Sequence, residues 1–144
     1  MDKDELFKEI DLIQGCISRM ARNSFLIKGW AITLFAAAIA FYSSKGSLSS
    51  DNRGLLLWCT IIVPLVLFWA LDAYFLRTER KYRCMYKWVL RERAEDSTAY
   101  QYDLDPTRFD KEVGCCLRTF FSPTLLLFYG LPLLAIIILT ICYD

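Results

Sequence analysis

The residues of this chain best placed to do chemistry are two charges set in apolar surroundings. Lys28 lies about a turn inside the run FLIKGWAITLFAAAIAFY (25–42), and Asp72 is the one charge in GLLLWCTIIVPLVLFWALDAYFL (54–76). Ionised groups inside a bilayer are costly, face protein or water, and by default mark conduction paths, relays or ion pairs. Antiparallel runs would bring the two to similar depth, so Lys28 and Asp72 are a candidate intramembrane charge pair or the charged mouth of a pore. The competing readings are that Lys28 snorkels to the headgroups and that Asp72 pairs with nearby Arg77 or Arg80. Arg77, Glu79 and Arg80 form a candidate charge network just beyond the second run. Pro64 lacks an N–H and crowds the carbonyl of Thr60, which makes it a candidate hinge inside that run.

Other chemistries lack their parts. With no histidine in the chain, His-based acid–base catalysis, His-activated nucleophiles and His-containing metal sites are excluded. No Gly-rich phosphate loop is present, and the six cysteines show no C-x-x-C spacing. Cys115-Cys116 reads as a weakly polar pair on a packed helix rather than as an acylated or redox-active one. Asp103, Asp105, Asp110 and Glu112 read as a solvated loop balancing nearby Arg and Lys rather than as a cation site. No catalytic, cofactor-binding or metal-ligating residue is expected, and the chain does not read as an enzyme.

The elements that must position Lys28 and Asp72 follow from hydropathy. The two runs hold 18 and 23 residues, and a third, PTLLLFYGLPLLAIIILTIC (123–142), holds 20 with no charge. At about 1.5 Å per residue, about 20 residues span a hydrocarbon core of about 30 Å. The expected fold is an all-α membrane protein, one unit over 1–144, with transmembrane helices at 25–42, 54–76 and 123–142; a composition 56% hydrophobic agrees. Of 17 Lys and Arg, five precede or open the first run, two (Lys45, Arg53) lie in the short Ser43 to Arg53 turn, and ten lie from Arg77 to Arg118. The positive-inside rule then places the N-terminus and the 77–121 segment in the cytosol and the C-terminus outside. The acidic start MDKDELFKEIDL does not read as a cleavable signal. A net charge of +1 gives no reason to expect a nucleic-acid partner.

The flanking segments read as helical. Leu6, Ile10, Ile13, Ile17 and Met20 alternate spacings of four and three, so 2–22 is expected as an amphipathic helix packed on the Tyr82, Met85, Val89 stripe, where the second run continues past the membrane. Asn23-Ser24 is a cap pair at which that helix is expected to break before the first span. Within the first span, Gly29, Thr33 and Ala37, with Ala36 and Ala40, offer a small-residue face for close helix packing, within the protomer or between copies. Phe109, Val113, Cys116, Leu117, Phe120 and Phe121 predict a helical piece lying along the inner interface with its aromatics toward lipid. Ser122-Pro123 is a start signal for the third span, and Gly130 with Pro132 predicts a kink in it.

The stretches RMARNSFLIKGWAITL, LFWALDAYFLRTERKYRCMY and RTFFSPTLLLFYG resemble a widespread group of small bacterial multi-span membrane proteins, over nearly the whole chain. More loosely, the plan of N-terminal helix, closely spaced spans and continued second span resembles SLATT-type anti-phage defence effectors, which are two-span where this chain has a third run. Asn23, Lys28, Trp30, Asp72, Arg77, Glu79 and Arg80 match the pattern of the small-protein group. The resemblance implies an oligomeric effector that permeabilises or depolarises the bacterial inner membrane, with the lipid bilayer, further copies of itself and a cytosolic defence or signalling protein as partners. The alternative is a non-pore scaffold that recruits a cytosolic protein to the membrane.

Overall fold

Long stretches of helix-forming residues with few Gly or Pro interruptions make the protein all-helical. The structure, a computed structural model, describes residues 3–44, 58–134 and 137–138, and no described residue lies in a strand. Helix α1 is Lys3–Ser44; a π-helical turn, Trp58–Ile62, leads into α2, Val63–Ala94. A 3₁₀ turn, Pro106–Phe109, and the short helices α3 (Asp110–Val113) and α4 (Cys116–Phe120) precede α5, Pro123–Leu134. The Ser43 to Arg53 turn, with Lys45 and Arg53, and the C-terminal residues lie outside the described residues, apart from Ser43 and Ser44 at the end of α1.

Among the described residues, one helix, Thr60–Ala94, is long and apolar enough to cross a membrane, and α5 is a shorter apolar helix. Helix α2 carries on unbroken through its basic half, since 65–94 contain no Gly or Pro. The break expected at Asn23-Ser24 does not occur. Cap residues end a helix only where the backbone leaves helical geometry, and here no Gly or Pro interrupts the i→i−4 ladder while Ser24 is buried.

Both membrane-type prolines sit one step beyond a widened turn. Pro64 follows Trp58–Ile62, and Pro132 follows a second π-helical turn, Leu126–Gly130. A proline within a helix removes one donor and pushes on the carbonyl four residues back, here Thr60 and Phe128, both inside those turns. Wider closure of the preceding turn relieves that crowding.

The chain divides into two compact units, 1–24 with 74–119, and 25–73 with 120–144. The core of the first is Ile13, Met85, Val89 and Phe109, with Ile17, Tyr82 and Trp88 packed against it. The a/d seam of α1 therefore meets the stripe on α2, as cores of helical pairs require. Phe109 enters this core at 5% exposure, which corrects the expected interfacial helix with its aromatics toward lipid. That piece is not one helix either: Gly114, at φ 80° and ψ −177°, separates α3 from α4 in a backbone region essentially restricted to glycine.

In the second unit the buried residues are Ile27 and Ala31 on α1, Ile61, Leu65, Trp69, Asp72 and Ala73 on the 58–94 helix, and Ser122, Leu125 and Tyr129 at the start of the third run. The opposite faces expose Phe25, Trp30, Val63, Leu67, Leu127 and Leu131. Large apolar side chains on the outward faces are an arrangement that lipid favours and water penalises.

Candidate functional site

The second unit closes around a buried Lys–Asp–Tyr cluster. Asp72 is fully buried, and its Oδ2 lies 2.5 Å from Lys28 Nζ, whose side chain keeps 27% of its exposure. Tyr129, also fully buried, donates its hydroxyl to the same Oδ2 at 3.1 Å. One carboxylate thus ties α1, α2 and α5 together. Sequence patterning singled out Lys28 and Asp72 but not the third member; Tyr129 was the main polar group in an apolar run, and a buried hydroxyl nearly always has a partner.

Trp69 holds Tyr129 in place. Its indole N–H donates to the Phe120 carbonyl at 3.0 Å, and its ring stacks on Phe120 at 4.4 Å and parallel to Tyr129 at 6.0 Å. Trp69 and Asp72 stand three residues apart on one helix face, so the tryptophan orients the tyrosine that the aspartate accepts from. The crevice between α1 and α2 is lined by Ala31, Leu34, Phe35, Ile61, Leu65 and Phe68, all apolar. The small residues Gly29, Thr33, Ala36, Ala37 and Ala40 are exposed, and a Cβ added at Gly29 would meet nothing within 4 Å.

Of the candidate network Arg77, Glu79 and Arg80, the first two meet different partners. Arg77 turns to Asp110 at 3.3 Å and to the Gly114 carbonyl at 3.4 Å, and Glu79 pairs with Arg83 one turn along at 2.6 Å. Glu79, two residues on from Arg77, lies on a different helix face and meets the partner that face offers. Asp110 also pairs with Lys81; the lysine's hydrogen bond holds the exposed Asp110 carboxyl below its ordinary range. Asp105 caps the 3₁₀ turn, accepting from the Thr107 amide at 2.9 Å and hydroxyl at 2.8 Å, which lowers its pKa as well. Asp103 pairs with Arg108 at 3.5 Å. These acids are thus bonded one by one, to a cation or to a cap.

Cys115 and Cys116 are exposed, which corrects the packed-helix expectation: α4 follows the Gly114 turn and buries Thr119 instead.

A second buried ion pair was missed altogether. Glu9 and Arg93 are 2% and 1% exposed and meet through a two-bond fork, Nε to Oε2 at 2.9 Å and Nη2 to Oε1 at 2.8 Å. Arg93 Nη1 donates to the Ser97 and Ala99 carbonyls, and the Tyr102 amide donates to Glu9 Oε1 at 3.1 Å. The pair thereby holds a loop in which Asp96, Tyr100 and Tyr102 all take positive φ. Burial pushes the Glu9 carboxyl up, but the Arg93 and Tyr102 hydrogen bonds outweigh it, so it lies below its ordinary value. A signal existed: Glu9 flanks the a/d seam, four residues before Ile13.

No match to the chain was found among family models, curated proteins or solved structures.

Proposed function

We propose that this chain is a membrane effector that assembles from several copies in a bacterial inner membrane and permeabilises or depolarises it. The observation that carries the proposal is the Lys28–Asp72–Tyr129 cluster, charges and hydroxyl turned inward in a unit that turns large apolar side chains outward. Three spans, with the N-terminus inside and the C-terminus outside, account for that inversion, the third beginning at Pro123. The crevice between α1 and α2 is narrow and apolar, so the proposed conducting path is built from further copies. The uncovered small-residue face of α1 is the surface on which lipid-embedded helices can approach closely. The unit built on Glu9 and Arg93 receives the signal from a cytosolic partner, and α1 and α2 run without a break from that unit into the other. On the resemblance of its sequence, the setting is defence against phage; no catalytic step is assigned to it.

A specific observation favours the second reading, a membrane-anchored scaffold. Asp72 bonds to both Lys28 and Tyr129 within one protomer, as structural charges do. The two readings part in one experiment. The protein mass of the nanodisc-extracted particle is measured first, then ion flux from vesicles containing it. A closed ring of several protomers with flux supports the effector. A monomer that stays silent with its cytosolic partner added, while binding that partner through the 2–22 and 77–95 helices, rejects it for the scaffold.

A further inference from the structure

The Gly114 turn gathers more positive charge than it neutralises. Arg77 reaches the Gly114 carbonyl from Nε and Nη2, both at 3.4 Å, which is long for a guanidinium bond. Arg118 folds back on the same residue: its Cδ lies 3.8 Å from where a Cβ on Gly114 would stand. Asp110 is shared by two cations, Arg77 and Lys81. Arg118 is exposed, and among the described residues no ion pair holds it. Beside it Leu117 is 65% exposed.

Their places in the sequence give the depth. Arg77 is the first residue after the apolar run 54–76, and Arg118 stands five residues before Pro123, where the third run begins. We infer that the Gly114 turn is a binding site for the phosphate of an anionic phospholipid, gripped between Arg77 and Arg118. The inference rests on the membrane reading above. A guanidinium fork matches phosphate oxygens two at a time, and cations just beyond a span draw anionic lipids. Free inorganic phosphate offers the same oxygens; exposed Leu117, at the edge of an apolar segment, commits the site to a lipid, whose chain it can contact. Glycine is required because other residues rarely adopt the backbone conformation of this turn.

The test uses the full chain in nanodiscs of equal parts phosphatidylglycerol and phosphatidylcholine, with lipid retained through gentle extraction read by native mass spectrometry. Expected is an enrichment of phosphatidylglycerol of about tenfold, the effect of one or two charge-assisted bonds. It falls to near parity in the Arg77→Gln, Arg118→Gln double variant and persists in Lys87→Gln, Arg91→Gln, which removes the same charge further along α2. Arg118→Lys keeps the charge without the fork and retains an intermediate amount, which guards against loss of fold. Equal retention of the two lipids by the unsubstituted protein overturns the inference, as does an equal loss in the control pair. Displacement of phosphatidylglycerol by millimolar inorganic phosphate assigns the site to free phosphate and overturns the lipid. Failure of the membrane reading shows separately: alkaline carbonate would then strip the chain from membranes.

Discussion

The unequal burial of Lys28 and Asp72 makes an ordering that can be measured. Lys28→Met takes the Lys28 ammonium away from a fully buried carboxylate that also accepts from Tyr129. Removing one partner of a buried pair costs about 3–5 kcal/mol, because the other charge stays buried. Asp72→Asn leaves an ammonium that is already 27% exposed and can swing its four-carbon stem toward headgroups, while the amide oxygen still accepts from Tyr129. That change costs about 1–2 kcal/mol, near the upper range of hydrogen bonds measured within membranes. Tyr129→Phe loses one charge-assisted bond and falls in the same range. Unfolding in mixed micelles on titration with sodium dodecyl sulfate, followed by tryptophan emission because Trp69 stacks parallel to Tyr129, gives all three values. The exchange Lys28→Asp with Asp72→Lys should recover most of the larger loss, since Tyr129 can turn from donor to acceptor. An Asp72→Asn variant less stable than Lys28→Met, or an exchange no better than the worse single change, would refute the pairing.

Other outcomes follow from the first unit. Arg93→Met should cost about 3–5 kcal/mol and free the loop bearing Asp96, Tyr100 and Tyr102, seen as fast amide exchange there; the double change with Glu9→Met should cost less than the sum. Because the Glu9 carboxyl is lowered below its ordinary value of 4.5, its contribution to stability is present above pH 4.5 and is lost as pH falls through the lower, folded value. Glu9→Gln should flatten that acid limb in a denaturation series. Asp105→Ala removes both bonds to Thr107 and should lower the thermal midpoint slightly. If the proposed topology holds, Cys115 and Cys116 react with a membrane-impermeant maleimide in inverted vesicles but not in intact cells, while buried Cys16 reacts only after denaturation.

Helices were legible wherever periodicity was long. The Leu6 to Met20 seam and the Tyr82, Met85, Val89 stripe each repeat over several turns, and a seam that long can bury itself only against another. Boundaries were harder. Asn23 and Ser24 carry a local preference for caps, yet a preference of about 1 kcal/mol yields to a continuous ladder on both sides. The 106–121 segment misled for a different reason: its aromatic repeat is real, but Gly114 turns the chain midway, so Phe109 and Phe120 belong to different units. Of the candidate site, the two charges stood out because charge is rare in apolar runs. Tyr129 and Trp69 did not, since nothing in a sequence says which aromatic in a span faces inward. Glu9 and Arg93 were hidden by a separation of 84 positions along the chain and by the ordinary look of an acid on a charged helix.

The π-helical turn at Leu126–Gly130 sets a limit on length polymorphism. Such a turn holds one residue more than the α-helix it interrupts, and Tyr129 lies within it. Loss of a single residue between Ser122 and Tyr129 would leave the segment as apolar as before, yet close that turn to an ordinary α-helical one and shift the hydroxyl that Asp72 accepts from. Related chains that keep this cluster should therefore vary freely in which apolar residues fill the third run, while the count from Ser122 to Tyr129 stays fixed.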